Sequence, residues 1–188
     1  MKKYLGIGLA LLLAAGTTAV FSTEEPAFDK KEAKRAAIDE MASDALTGLV
    51  SDSDRAKTLY ENAAAFAVFD NFKFTLLLSG GGGVGVAVDK ATGQRTYMKM
   101  GSGGVGVGLG GQSYQIVLLF EDLDRFEKFV NKGWQADASA NAAAGTSGKN
   151  LPATFSDGLA VFQLTNKGLV AQADISGTKY WKNKKLNQ

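Results

Sequence analysis

The hydrophobic pattern changes period twice along the chain. From Phe28 to Leu49 apolar residues recur at helical spacing: Ile38, Met41, Ala45 and Leu49 form one stripe, with Ala42 and Leu46 beside it. Charged residues from Asp29 to Asp44 fill the opposite face, so an amphipathic helix is expected here. Ser51 or Ser53 is placed to cap a second helix running through Leu59 and Tyr60 to about Ala64. Phe66-Ala-Val-Phe69 then reads as a first strand, and the period falls to two. In Gly80-Gly-Gly-Gly-Val-Gly-Val-Ala-Val88, Val84, Val86 and Val88 share one face, while Gly83, Gly85 and Ala87 leave the other nearly bare. Gly101 to Gly111 repeats the alternation with Val105, Val107 and Leu109. A row of glycine inside a strand marks close approach of other atoms to that face.

An antiparallel meander is expected from Phe72 to Glu121. Phe74 to Leu78 leads into the first glycine strand, Asp89 to Gly93 forms a turn, and Arg95 to Met100 returns. The second glycine strand and Ser113 to Phe120 follow. Leu123, Phe126, Phe129 and Val130 give one face of a short helix, whose start is marked by the acidic run Glu121 to Asp124 and whose end is marked by Gly133. Ala136 to Ala142 alternates small residues as a strand would, although alanine also suits a helix. Thr146 to Pro152 is a loop candidate. Residues 158–164, a turn at Asn166-Lys167-Gly168 and residues 169–175 form a closing hairpin. The expected fold class is α+β: a mainly antiparallel, glycine-rich twisted sheet or partly closed barrel, with N-terminal and mid-chain helices packed on it. A transmembrane barrel fits less well, because helices open the chain and aromatic girdles are lacking.

Met1-Lys-Lys-Tyr4 followed by the apolar run Leu5 to Ala15 has the layout of a secretory signal peptide, with small-residue cleavage sites between Ala19 and Ser22. The expected organisation is a signal peptide over 1–22 and a single domain over 23–188, exported to the periplasm. The leader takes two of the 21 basic residues, which leaves parity with the 19 acidic ones and gives no support for nucleic-acid binding. The chain has no cysteine and no histidine. Their absence removes lipoprotein attachment, disulfides, Ser-His and Cys-His nucleophiles, and imidazole-ligated zinc. No catalytic residue, metal site or cofactor is expected. The spacing G-x-G-x-x-G occurs at Gly80, at Gly101 and at Gly106, but no match opens a helix as a dinucleotide site requires.

The order of these pieces carries a resemblance. A Gly-Gly-Gly-Gly-Val-Gly-Val hairpin with Thr92-Gly93 at its turn precedes a Gly-Val-Gly strand leading to Gln115-Ile-Val-Leu-Leu-Phe120. Phe126 to Phe129, Ala136 to Ser139, Ala144 to Gly148, Lys167-Gly168-Leu169 and Ala173 to Gly177 follow. From about Met41 to Asn187 this succession resembles the SYLF-domain family of lipid-binding proteins. The resemblance implies a lipid-binding domain. It also implies, for eukaryotic members, phosphoinositide binding and in some cases an actin connection. Many members carry Trp and Pro where this chain has Gln94 to Met98, and Pro where it has Thr146. Actin is not expected as a partner of a chain with a bacterial-style leader.

Two cationic stretches are the candidate lipid contacts. Lys30, Lys31, Lys34 and Arg35 lie in the N-terminal helix, the region that the resemblance assigns to lipid binding; Glu32 is spaced to pair with Arg35. In the tail, Tyr180 and Trp181 sit beside Lys182, Lys184 and Lys185. The expected partner is anionic phospholipid at a membrane surface, or a lipid held by the domain. The alternative is a cell-envelope protein that docks a partner, or itself, through the glycine-rich sheet.

Overall fold

The computed structural model describes residues 27–75, 78–105, 110–135, 154–170 and 177–188. The leader, the alternating stretch at 136–142 and the loop candidate at 146–152 lie outside the described residues.

Helix α1 (Ala27–Asp52) extends the expected helix by one turn and buries its stripe of Ile38, Ala42, Ala45 and Leu49. Helix α2 (Asp54–Asn62) starts at Ser53, whose side chain accepts a hydrogen bond from the Ala56 N–H. The strands are β1 (Ala65–Thr75), β2 (Leu78–Asp89), β3 (Arg95–Val105), β4 (Gly110–Phe120), β5 (Trp134–Gln135), β6 (Leu159–Thr165), β7 (Gly168–Val170) and β8 (Thr178–Lys182), with helix α3 (Leu123–Lys132) between β4 and β5. Among the described residues they make one antiparallel sheet in the order β5-β8-β3-β2-β1-β4-β6-β7. This is the open form of the two expected arrangements.

Two strand boundaries differ from the sequence expectation. Phe66 to Phe69 and Phe74 belong to one strand, β1, which ends at Thr75, before β2 begins at Leu78. The second glycine run is split between the end of β3 and the start of β4. At the first boundary the largely apolar run Phe74 to Leu78 is unbroken, and at the second the glycine alternation is, so the sequence pattern marks neither strand end.

The sheet has a helical layer on each face. On one face Phe66, Val68, Val86, Tyr97, Val117, Leu119 and Phe162 pack against α1, α2 and Leu186. On the other, Phe69, Met98, Met100, Ile116, Leu118 and Phe120 pack against Phe126, Phe129 and Val130 of α3 and against Tyr180. Asp122 caps α3 by accepting from the Arg125 N–H at 2.8 Å, and Gly133, at φ 73°, ends it. The bare face of β2 is filled as expected from its glycines. A Cβ on Gly85 would collide with the Val68 carbonyl oxygen and the Phe69 ring, and one on Gly83 with the Asp70 carbonyl oxygen. Among the described residues no helix is long and apolar enough to cross a membrane.

Candidate lipid-contact surface

The neighbouring strands β3, β2, β1 and β4 run beyond the helices, and strand parity decides what this extension displays. Phe72 and Phe74 share the parity of Phe66 and Val68, so they point to the α1/α2 face but lie past its helices. They are 54% and 51% exposed. Opposite them stand Gly82 and Gly80 of β2, and beyond these Gly101 and Gly103 of β3. With so little side chain on the floor, the rings lie down on it. A Cβ at Gly111 would come within 2.7 Å of the Phe72 ring, and one at Gly101 within 3.1 Å of the Trp181 ring. Above Gly80 and Gly103 the space is open. Val84 and Trp181, 39% and 44% exposed, complete an apolar patch carried on five neighbouring strands, β8, β3, β2, β1 and β4.

Lysines border this patch. Lys99 pairs with Trp181 across β3 and β8, and Lys179 pairs with Gly101, on the same face. Next to Val84, a groove of about 520 Å³ is lined by Lys34, Ile38, Lys99, Lys185 and Leu186. Residues 34 and 185, distant in sequence, thus share one groove with the glycine-floored sheet.

The sequence-predicted site residues divide by placement. Lys30, Lys34, Lys184 and Lys185 are exposed, and Lys31 is half-buried with its Nζ 3.4 Å from the Gln188 carbonyl oxygen. Arg35 is engaged in the fold. It donates to the Leu186 carbonyl through Nε at 2.9 Å and Nη2 at 2.7 Å, pairs with Glu32 at 2.6 Å, and lies over the Tyr97 ring. The tail's two aromatics face opposite sides, as neighbours in a strand must. Trp181 joins the exposed patch. Tyr180 is 2% exposed and belongs to the core, its ring stacked on Trp134 and edge-on to Phe69. Burial pushes its hydroxyl pKa up. Lys182 also points to the α3 side, where it donates to Asn131 Oδ1 at 3.0 Å. Tyr180 and Lys182 therefore do not stand with the other candidates, because strand alternation turns them to the far face.

Phe72, Phe74, Val84, Lys99 and Lys179 were not singled out from sequence. The signal that could have found them is parity: Phe72 and Phe74 continue the Phe66–Val68 phase into a region where the partner strand offers only glycine.

Residues 101–188 match a protein family described as "Ysc84: Las17-binding protein actin regulator". This match bears out the resemblance to the SYLF-domain family. Over 158 residues, 84% of its length, it is 46% identical to Beta cell expansion factor A of Aeromonas veronii, and the match covers 60% of that relative's own length.

Proposed function

We propose that this protein is an exported, non-catalytic lipid-binding domain that contacts anionic phospholipid through the glycine-floored face. Similarity to the SYLF-domain family suggests lipid binding in general. The observation that carries the finer reading is the meeting, on one face, of exposed Phe72, Phe74, Val84 and Trp181 with Lys34, Lys99, Lys179 and Lys185. Aromatic rings suit the boundary between headgroups and acyl chains, and each lysine near an anionic surface contributes about 1 kcal/mol. The periplasm is the proposed location, on the layout of the N-terminal leader. Actin is not the partner we propose.

Vesicle flotation tests this reading. Phosphatidylglycerol-containing vesicles should carry the protein upward at low ionic strength, binding should fall as salt screens the lysines, and phosphatidylcholine vesicles should carry much less. Absence of flotation with every vesicle, together with oligomers on size exclusion, would instead favour an envelope protein that docks a partner or itself through the same sheet.

A further inference from the structure

A second concavity lies on the opposite side of the sheet, under α3. Its volume is about 360 Å³, at the low end of the range for small-ligand sites, roughly 300–1,000 Å³. Half-buried Trp134 supplies an aromatic wall, behind which Phe120, Phe129 and Leu159 of the core offer only their edges; Arg125, Lys128, Lys132 and Asp157 line the rest. The wall is firmly held. Phe120 and Phe129 pack with ring centroids 5.1 Å apart, and Trp134 stacks on buried Tyr180 with centroids 5.6 Å apart and planes inclined by 18°. Gly133 keeps the helix end close to this wall, since a Cβ there would meet the Tyr180 carbonyl oxygen at 2.5 Å.

The charges on the rim are unequal. Arg125 forms an ion pair with Asp157, which uses both groups. Lys128 and Lys132, one helical turn apart, are exposed and have no ion-pair partner among the described residues. An apolar recess with two adjacent free cations at its mouth matches a molecule with one anionic end and an apolar body. The volume restricts that body to a single short chain, because the two acyl chains of a phospholipid would not fit. We infer that this recess binds a free medium-chain carboxylate, its chain against Phe120, Phe129 and Trp134 and its carboxylate between Lys128 and Lys132. The site is independent of the phospholipid surface, from which the sheet separates it.

The test uses the chain's own reporters. It contains two tryptophans, so Trp181→Phe leaves Trp134 as the sole one. Decanoate, titrated at pH 8 and below its micelle concentration into this variant, should change Trp134 emission saturably, and native mass spectrometry should show one bound molecule. Adding Lys128→Gln and Lys132→Gln should weaken binding at least fivefold with circular dichroism unchanged. Decanol should bind at least fivefold more weakly than decanoate. A change that does not saturate, equal binding by the lysine variant, or equal binding of decanol would overturn the assignment. In the otherwise wild-type chain the same two lysine substitutions should leave vesicle flotation unaltered, so failure here is separable from failure of the phospholipid surface.

Discussion

The Arg35 guanidinium grips the carbonyl oxygen of Leu186 with two N–H groups, at 2.9 and 2.7 Å, across 151 positions of sequence. Around this contact the C-terminal tail is tied to the sheet as a strand would be. Asn187 accepts from the Tyr97 N–H at 3.0 Å and donates to the Tyr97 carbonyl at 2.7 Å, while Leu186 is buried against the α1 side of the core. The tail is thereby the clasp that fixes the first turns of α1 beside Lys99 and Val84.

Arg35→Gln should lower stability by about 1.5–3 kcal/mol, the range for hydrogen bonds made by a charged group, whereas Lys30→Gln, at an exposed position, should change it by no more than about 0.5 kcal/mol. Urea denaturation of the two variants checks this. Equal midpoints would show that Arg35 is a surface cation like its neighbours.

Replacing Lys34, Lys99 and Lys185 together by Gln should reduce flotation with anionic vesicles by about tenfold or more, since each contributes about 1 kcal/mol near such a surface. Phe72→Ser with Phe74→Ser should reduce it further without restoring sensitivity to salt. With Trp134 replaced by Phe, Trp181 emission should shift to shorter wavelength on adding anionic vesicles. An unmoved spectrum would place Trp181 outside the contact.

The two kinds of glycine should respond oppositely to substitution. Gly85→Val drives a side chain into the Val68 carbonyl and the Phe69 ring and should cost about 3 kcal/mol or more. Gly80→Ala and Gly103→Ala meet open space and should be neutral or stabilising by up to about 1 kcal/mol, through reduced chain entropy. Thermal unfolding of the three variants distinguishes them.

Tyr97 gives a pH dependence of defined sign. Burial, helped by its hydrogen bond to Asp39 Oδ2 at 3.0 Å, pushes its pKa from 10.0 up to about 12. The folded chain therefore holds this proton in a range where the unfolded chain has released it. The associated stability is complete below pH 10 and is lost as pH rises toward about 12. Tyr97→Phe should flatten the decline in unfolding free energy between pH 9 and pH 11.5 relative to wild type. Parallel declines would remove Tyr97 from the alkaline transition.

The sequence was most legible where one local signal had one structural meaning. The apolar stripe of α1, the Ser53 and Asp122 caps, the Asp89–Gly93 turn and the stop at Gly133 follow from helix periodicity and terminal chemistry. Glycine alternation was less decisive, because it carries no mark at a chain reversal, and it merged the end of β3 with the start of β4. Of the cationic candidates, sequence could identify charge but not its use. Arg35 and Lys184 look alike as residues, yet only the first reaches a backbone carbonyl of the tail.

What the sequence determined by itself is therefore local: helices, strands, their faces, the absence of histidine and cysteine, and the succession of motifs that carries the resemblance to the SYLF-domain family. What only the tertiary structure decided is which distant residues share a surface. Sheet register brings Phe72, Gly82, Gly101 and Trp181 onto one face, and α1 brings Lys34 to Lys185. The same register sends Tyr180 and Lys182 to the other face, next to α3. The physical reason is that strand alternation is readable within one segment, whereas strand order and helix docking are set by long-range burial, to which every segment contributes and which none encodes alone.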